Sequence, residues 1–247
     1  MLIRSDEFED IETPTGPMRT YIFRPADEGR SYPGVVYFSE IFQLTDPIRR
    51  FASFIAGQGY VVAVPEVYHE YEPAGTVLGY DQVGADRGNE LKYRKPLKAY
   101  DDDATAVLKW LARYKACSGK LATLGVCLGG HLALRAAFNQ GVLAAACFYA
   151  TDVHSATLGE GKKDDTLKKL PELKAETMFV WGRQDPHIPY EGRRLIRDRL
   201  EESQIHFEWH EYNGQHAFLR DEGPRYDPAL FMLAIEHIKA LFAKALV

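Results

Sequence analysis

Residues 121–138 read LATLGVCLGGHLALRAAF, and the way this stretch divides decides the fold. With Lys120, its first part (120–126) is a short, largely apolar run suited to a buried strand, while the residues after Cys127 carry the Ala, Leu and Arg that favour helix. Cys127 therefore stands on a strand-to-helix turn of the form G-x-C-x-G-G, the pattern of a nucleophile elbow with sulfur in place of the usual serine oxygen. The glycines have a steric role there: Gly125 and Gly129 admit neighbouring backbone, and Gly130 permits close helix packing. A competing reading is a buried strand end, since free cysteine is among the most buried residue types.

Short β-branched and aromatic runs recur on both sides of this turn, at 18–25, 34–40, 59–66, 143–150, 177–182 and 205–212, and longer segments of helical period separate several of them. Such alternation predicts an α/β protein with a mostly parallel central sheet and helices on both faces. Residues 101–115 open with three aspartates that suit a helix N-terminus, and Ala106, Leu108, Trp110 and Ala112 are expected on one side of that helix. In the last segment Leu230, Ala234, Ile238, Leu241 and Ala245 form a stripe able to close the sheet. Residues 68–96 are rich in Gly, Tyr and charge without a period, which predicts a long loop or small excursion above the sheet. No repeat or flexible linker divides the 247 residues, so one domain spanning 1–247 is expected.

Composition narrows the partners. The chain is 46% hydrophobic and 26% charged, with a net charge of −5 and no basic run, which gives no electrostatic reason to expect nucleic acid. Three cysteines are too few for a disulfide framework and favour a reducing compartment, so a cytoplasmic location is expected. The first ten residues turn acidic before an apolar region forms, so neither a secretory signal nor a membrane span is expected. A monomer or weak homodimer, with no metal and no cofactor, completes the expectation, because neither a phosphate-cradling glycine loop nor zinc-type His/Cys spacing occurs.

An acid and a histidine follow Cys127 in the order that the α/β-hydrolase fold requires. Asp185 lies on the loop after the apolar run that ends at Gly182, before Pro186 and Pro189; an Asx-turn and a catalytic carboxylate fit it equally. Of eight histidines, His216 alone comes after both the acid and the last strand yet before the last helix, whereas His131 is expected to point into the helix behind the elbow.

Taken together, residues 37–68 (YFSEIFQLTDPIRRFASFIAGQGYVVAVPEVY), GVCLGGHLAL, WGRQDPHIP and GQHAFL resemble the dienelactone hydrolase family of the α/β-hydrolase superfamily over nearly the whole chain. The resemblance implies Cys127 as nucleophile, His216 as base, Asp185 as the residue orienting it, and Glu40 as a partner of the thiol. Without it, Glu40 reads as a solvated acid after a strand. Leu128 follows the nucleophile and is expected to supply one oxyanion N–H, and the family pattern suggests Ile41 for the second. Resemblance to members acting on dienelactones also implies arginines for a substrate carboxylate: Arg220 matches one, and Arg87 or Arg94 is the candidate for the other, all three having an alternative reading as surface charge. Tyr68, Tyr93 and Trp181 are expected either in a pocket or in packing. The expected function is hydrolysis of a small ester or lactone through an acyl-thioester. A redox-sensing thiol, with Cys117 or Cys147 as resolving partner, and a non-catalytic binding protein are the alternatives; a glutamine amidotransferase lacks its histidine-glutamate pair here.

Overall fold

Eight strands form one sheet in the order β1-β2-β4-β3-β5-β6-β7-β8 in the computed structural model, which describes residues 1–246. The strands are β1 (Ile3–Thr13), β2 (Gly16–Pro25), β3 (Tyr32–Phe38), β4 (Val61–Pro65), β5 (Cys117–Val126), β6 (Val142–Phe148), β7 (Glu176–Gly182) and β8 (Phe207–Tyr212). From β4 to the β8 edge every neighbouring pair is parallel, and only β1 and β2 run against their neighbours. All seven runs expected as strands lie in this sheet. Val35, Val36, Ala122, Leu124, Met178 and Phe179 are fully buried, as strands covered on both faces require.

The helices are α1 (Asp46–Gly57), α2 (Gln82–Arg94), α3 (Leu97–Leu111), α4 (Leu128–Ala136), the single turn α5 (Thr166–Lys169), α6 (Tyr190–Glu202) and α7 (Pro228–Leu246). In α7, Ala234, Ile238 and Leu241 of the expected stripe are buried, joined by Ile235 and Phe242, and the helix packs against β5, β6 and β7.

Three expectations are corrected. β1 was not anticipated because its sequence, IRSDEFEDIET, is acidic and mostly exposed; as an edge strand it is held by β2 and by cross-strand pairs such as Asp10 with Arg19 at 2.9 Å. α3 begins at Leu97, four residues before the aspartates, so Asp103 falls inside the helix and is buried; Tyr100, Ala104, Val107, Leu108 and Leu111 face the core, while Ala112 is exposed. The loop expected over 68–96 contains α2, whose N-terminus is capped by the Asp81 carboxylate accepting from the Gly84 N–H at 2.8 Å. No apolar stripe announces α2 because it packs through glycine: a Cβ on Gly88 would stand 2.7 Å from the Ile41 carbonyl.

At the turn after β5, a Cβ on Gly129 would lie 2.0 Å from the Phe38 oxygen, and one on Gly125 would lie 1.9 Å from the Gly129 oxygen. Helix α4 is thereby pulled against the ends of β3 and β5. Gly129→Ala is expected to destabilise the protein by at least about 3 kcal/mol in urea unfolding, because the clash is with backbone that cannot rotate away. Gly57→Ala, whose Cβ meets nothing within 4 Å, is the matched control and is expected to be neutral or to stabilise by about 0.5–1 kcal/mol.

Candidate active site

The turn holds Cys127 at φ 59° and ψ −124°, a conformation that a residue bearing a side chain adopts only when its surroundings impose it. Its N–H donates to the Phe148 carbonyl at 3.1 Å, and its own carbonyl accepts from Gly130 and Thr151. Those three bonds fix the backbone while the side chain projects into a cavity of about 890 Å3. Strained residues recur around it: Gln43, Tyr149, Asp152 and Ala217 also have positive φ and lie on loops at this end of the sheet.

His216 lies after β8 and lines the same cavity. Its Nδ1 is 2.6 Å from Oδ2 of Asp185, which is buried behind it, and the other oxygen, Oδ1, accepts from the His187 N–H at 2.8 Å. The rings of Tyr149 and His187 pack edge-on against the imidazole at centroid distances of 5.0 and 4.6 Å. Burial works against charge on His216, yet the charge of Cys127 and hydrogen bonding to Asp185 and Cys127 outweigh it and raise its pKa above the ordinary histidine value. Cys127, His216 and Asp185 are thus brought together from three distant segments.

Ile41 lines the cavity, and Leu128, as the first residue of α4, has no acceptor for its N–H within the helix. Glu40 is buried, but its contacts differ from the expected one with the thiol: Oε2 accepts from the Tyr80 hydroxyl at 2.9 Å, and Oε1 lies 3.8 Å from Arg220 Nη1. Arg220 lines the cavity with its guanidinium 4.2 Å from the centroid of the Tyr80 ring.

Arg87 and Arg94 are turned to other partners. Arg87 is held by Glu72 at 2.6 Å and Glu90 at 2.8 Å and is absent from the cavity lining, so its charge is already matched at the surface. The guanidinium of Arg94 stacks on Tyr71 at 4.7 Å. In their place α2 presents Lys92, a residue that sequence reading passed over because a lysine in a charged segment resembles a solvated one. Its Nζ is 2.9 Å from Asp152 Oδ2 at the cavity wall. Tyr93 lines the cavity too, whereas Tyr68 and Trp181 belong to the packed core. His131 is buried with its ring nitrogens 2.9 Å from the Thr151 oxygen and 2.7 Å from Thr166 Oγ1, tying α4 to the loop after β6 and to the start of α5.

Among the described residues one group has metal-ligand proximity: His69, Glu70 and Asp103, with ligand atoms within 4.8 Å of one another. The ammonium of the fully buried Lys95 lies among them, donating to Asp103, to Glu70 at 2.8 Å and to the Val67 carbonyl at 2.7 Å. A tethered cation thus already sits among these acids as the hydrogen-bond donor to both. No helix of the described residues is long and apolar enough to cross a membrane.

The sequence profile of the dienelactone hydrolase family matches residues 18–246. A Saccharomyces cerevisiae protein assigned as a carboxymethylenebutenolidase is 41% identical over 241 residues, covering 93% of this chain and 88% of its own. The carboxymethylenebutenolidase of Pseudomonas putida is 28% identical over 207 residues, 83% of this chain and 82% of its own. Among solved structures, one from Klebsiella pneumoniae assigned as a dienelactone hydrolase superposes with a TM-score of 0.84 at 22% identity, covering 98% of this chain and 99% of its own, and supports the fold. The esterase Est2 of Thermogutta terrifontis gives 0.66 at 17% identity, with 96% and 91% covered.

The Lys92–Asp152 pair carries a pH dependence. Burial works to raise the Asp152 pKa, but the charge and hydrogen bond of Lys92 outweigh it and hold the carboxyl at about 2. A carboxyl whose pKa is depressed by folding stabilises the protein above its unfolded pKa, and that contribution, about 2 kcal/mol, fades as pH falls from about 4 towards 2. Asp152→Asn is therefore expected to flatten the loss of stability between pH 5 and 2.5, measured by urea midpoints; parallel pH profiles for the two proteins would contradict this.

Proposed function

Because the chain belongs to the dienelactone hydrolase family, with an α/β-hydrolase fold and a lactone- or ester-hydrolysing activity, we propose that Cys127, His216 and Asp185 carry that hydrolysis through an acyl-thioester. The observation that carries the reading is the 2.6 Å contact between His216 Nδ1 and Asp185, made while His216 and Cys127 line one cavity.

The thiol proton of Cys127 passes to His216 Nε2, the sulfur attacks the carbonyl carbon, and the carbonyl oxygen takes the negative charge. We assign the N–H groups of Leu128 and Ile41 as the donors that hold the oxyanion more strongly than the ground-state carbonyl. Collapse expels the alkoxide, which takes its proton from His216 Nε2. The thioester remains on Cys127. Water then attacks it with His216 as base, a second oxyanion forms, and the acid leaves as the thiol is restored. Asp185 fixes the imidazole tautomer throughout by holding Nδ1–H.

Arg220 is the recognition point for a carboxylate on the substrate. Its 3.8 Å separation from Glu40 exceeds hydrogen-bond length, so its donors are free for a ligand. The Tyr80 hydroxyl, by engaging Glu40, keeps the acid from closing on the guanidinium. A reducing, cytoplasmic setting suits a nucleophilic thiol.

The redox-sensor reading fares worse. Cys117 starts the strand that Cys127 follows, roughly 30 Å away at about 3.3 Å per residue, and a disulfide needs Cα atoms within about 7 Å. Cys147 is fully buried in β6, and burial pushes its thiol pKa up.

A 4-nitrophenyl ester is expected to be hydrolysed by the wild type, and Cys127→Ala is expected to lower kcat by at least about 1,000-fold. An unchanged rate in that variant would sink the proposal. Asp185→Asn is expected to lower kcat about 1,000- to 10,000-fold with little change in KM, since it releases the tautomer without altering the pocket. Arg220→Ala is expected to raise KM for a carboxylated ester about 10- to 100-fold, with a smaller effect on a neutral ester of equal length.

A further inference from the structure

Two charged clusters on the cavity wall share one construction. In the sheet, β5 lies between β3 and β6, so the loops after these neighbours flank Cys127. Glu40 follows β3 and Asp152 follows β6. Each acid is held by a tyrosine from residues 68–96: Tyr80 donates to Glu40 at 2.9 Å, and Tyr93 donates to Asp152 Oδ1 at 3.1 Å. Each acid is also faced by a cation, Arg220 in the first cluster and Lys92 in the second.

The acceptors in the Asp152 cluster are occupied, whereas both cations keep N–H groups without a hydrogen-bond acceptor. Asp152 Oδ1 takes a further bond from Thr157 Oγ1 at 3.1 Å while Oδ2 takes the ammonium of Lys92. Lys92 has three N–H groups, of which one goes to Asp152, and the residue lines the cavity with its side chain 7% exposed. On the other side, Arg220 Nε is buried without a partner. A ligand that satisfies this wall therefore brings acceptors to two places, one on each side of the thiol. The volume of about 890 Å3 falls in the range of roughly 300–1,000 Å3 typical of sites for extended small molecules.

We propose that Lys92 is a second anion-recognition point and that the substrate is a two-ended acid: an ester or lactone carrying one carboxylate for Arg220 and another for Lys92, with the reacting carbonyl between them over Cys127. This rests on the placement of the reaction at Cys127 and of a carboxylate at Arg220. Each cluster is itself neutral, so recognition comes from short directional bonds rather than a long-range field. A molecule reaching both points gains the second contact intramolecularly.

The test is calorimetric titration with product-like acids, which needs no turnover. Succinate, glutarate and adipate are compared with butyrate, pentanoate and hexanoate. At least one dicarboxylate is expected to bind wild type 10-fold or more tightly than the monocarboxylate of its length. Lys92→Gln is expected to reduce that preference to about 2-fold or less, and Lys92→Arg to retain it. Equal affinity for mono- and dicarboxylates at every length in wild type overturns the proposal without any variant, as does a Lys92→Gln protein, folded by its thermal transition, that loses both classes alike. Ester hydrolysis by Cys127→Ala in parallel separates the two readings: survival of turnover in that variant removes the thioester reading and leaves the binding result standing, whereas turnover that depends on Cys127 without a dicarboxylate preference removes this inference alone.

Discussion

The contact on which this active site depends is between two stretches of bare backbone. Gly129 brings the first turn of α4 so close to the Phe38 carbonyl that no side chain fits between them, and Gly125 does the same for the strand below. With the helix start held there, the chain between β5 and α4 has no room for an ordinary turn, and Cys127 takes a positive φ. The strain is sustained by hydrogen bonds to Phe148, Gly130 and Thr151. Its result is a sulfur lifted above the carboxyl ends of the strands, with the unsatisfied N–H of a helix start beside it.

Everything else in the site is arranged around that fixed point by the parallel sheet. Successive strands deliver their following loops to one edge, so Glu40, Cys127, Asp152, Asp185 and His216 arrive from β3, β5, β6, β7 and β8 at one rim. A parallel sheet does this without any contact between those residues in sequence. The acids so delivered are buried, and each is stabilised by a donor: Asp185 by the His187 N–H and the imidazole, Glu40 by Tyr80, Asp152 by Lys92, Tyr93 and Thr157. An unpartnered buried carboxylate would instead take up a proton and lose its role.

Residues 68–96 supply what the sheet cannot. Tyr80, Lys92 and Tyr93 all come from this excursion, and α2 is seated on the loop after β3 through Gly88 against Ile41. Lys95, fully buried among Glu70, Asp103 and the Val67 carbonyl, pins its far end to α3 and to the chain after β4. The segment that lines the cavity is therefore anchored at both ends by close packing and by buried charge.

How much of this was legible follows from the range of the forces involved. Periodicity and composition act locally, so the amino-acid sequence by itself determined the α/β sheet, the strand-turn-helix around Cys127, and the order in which Asp185 and His216 follow it. The edge strand β1 escaped because its pairing energy lies in β2 rather than in its own acidic residues, and α2 escaped because it packs by glycine contact instead of an apolar stripe. Which cations face the cavity was decided only in three dimensions: Arg87 and Lys92 are five residues apart on one helix, yet the first turns to Glu72 and Glu90 and the second to Asp152. A charged side chain takes its role from the partner that tertiary packing brings within a few ångströms, and no spacing along a chain encodes that partner.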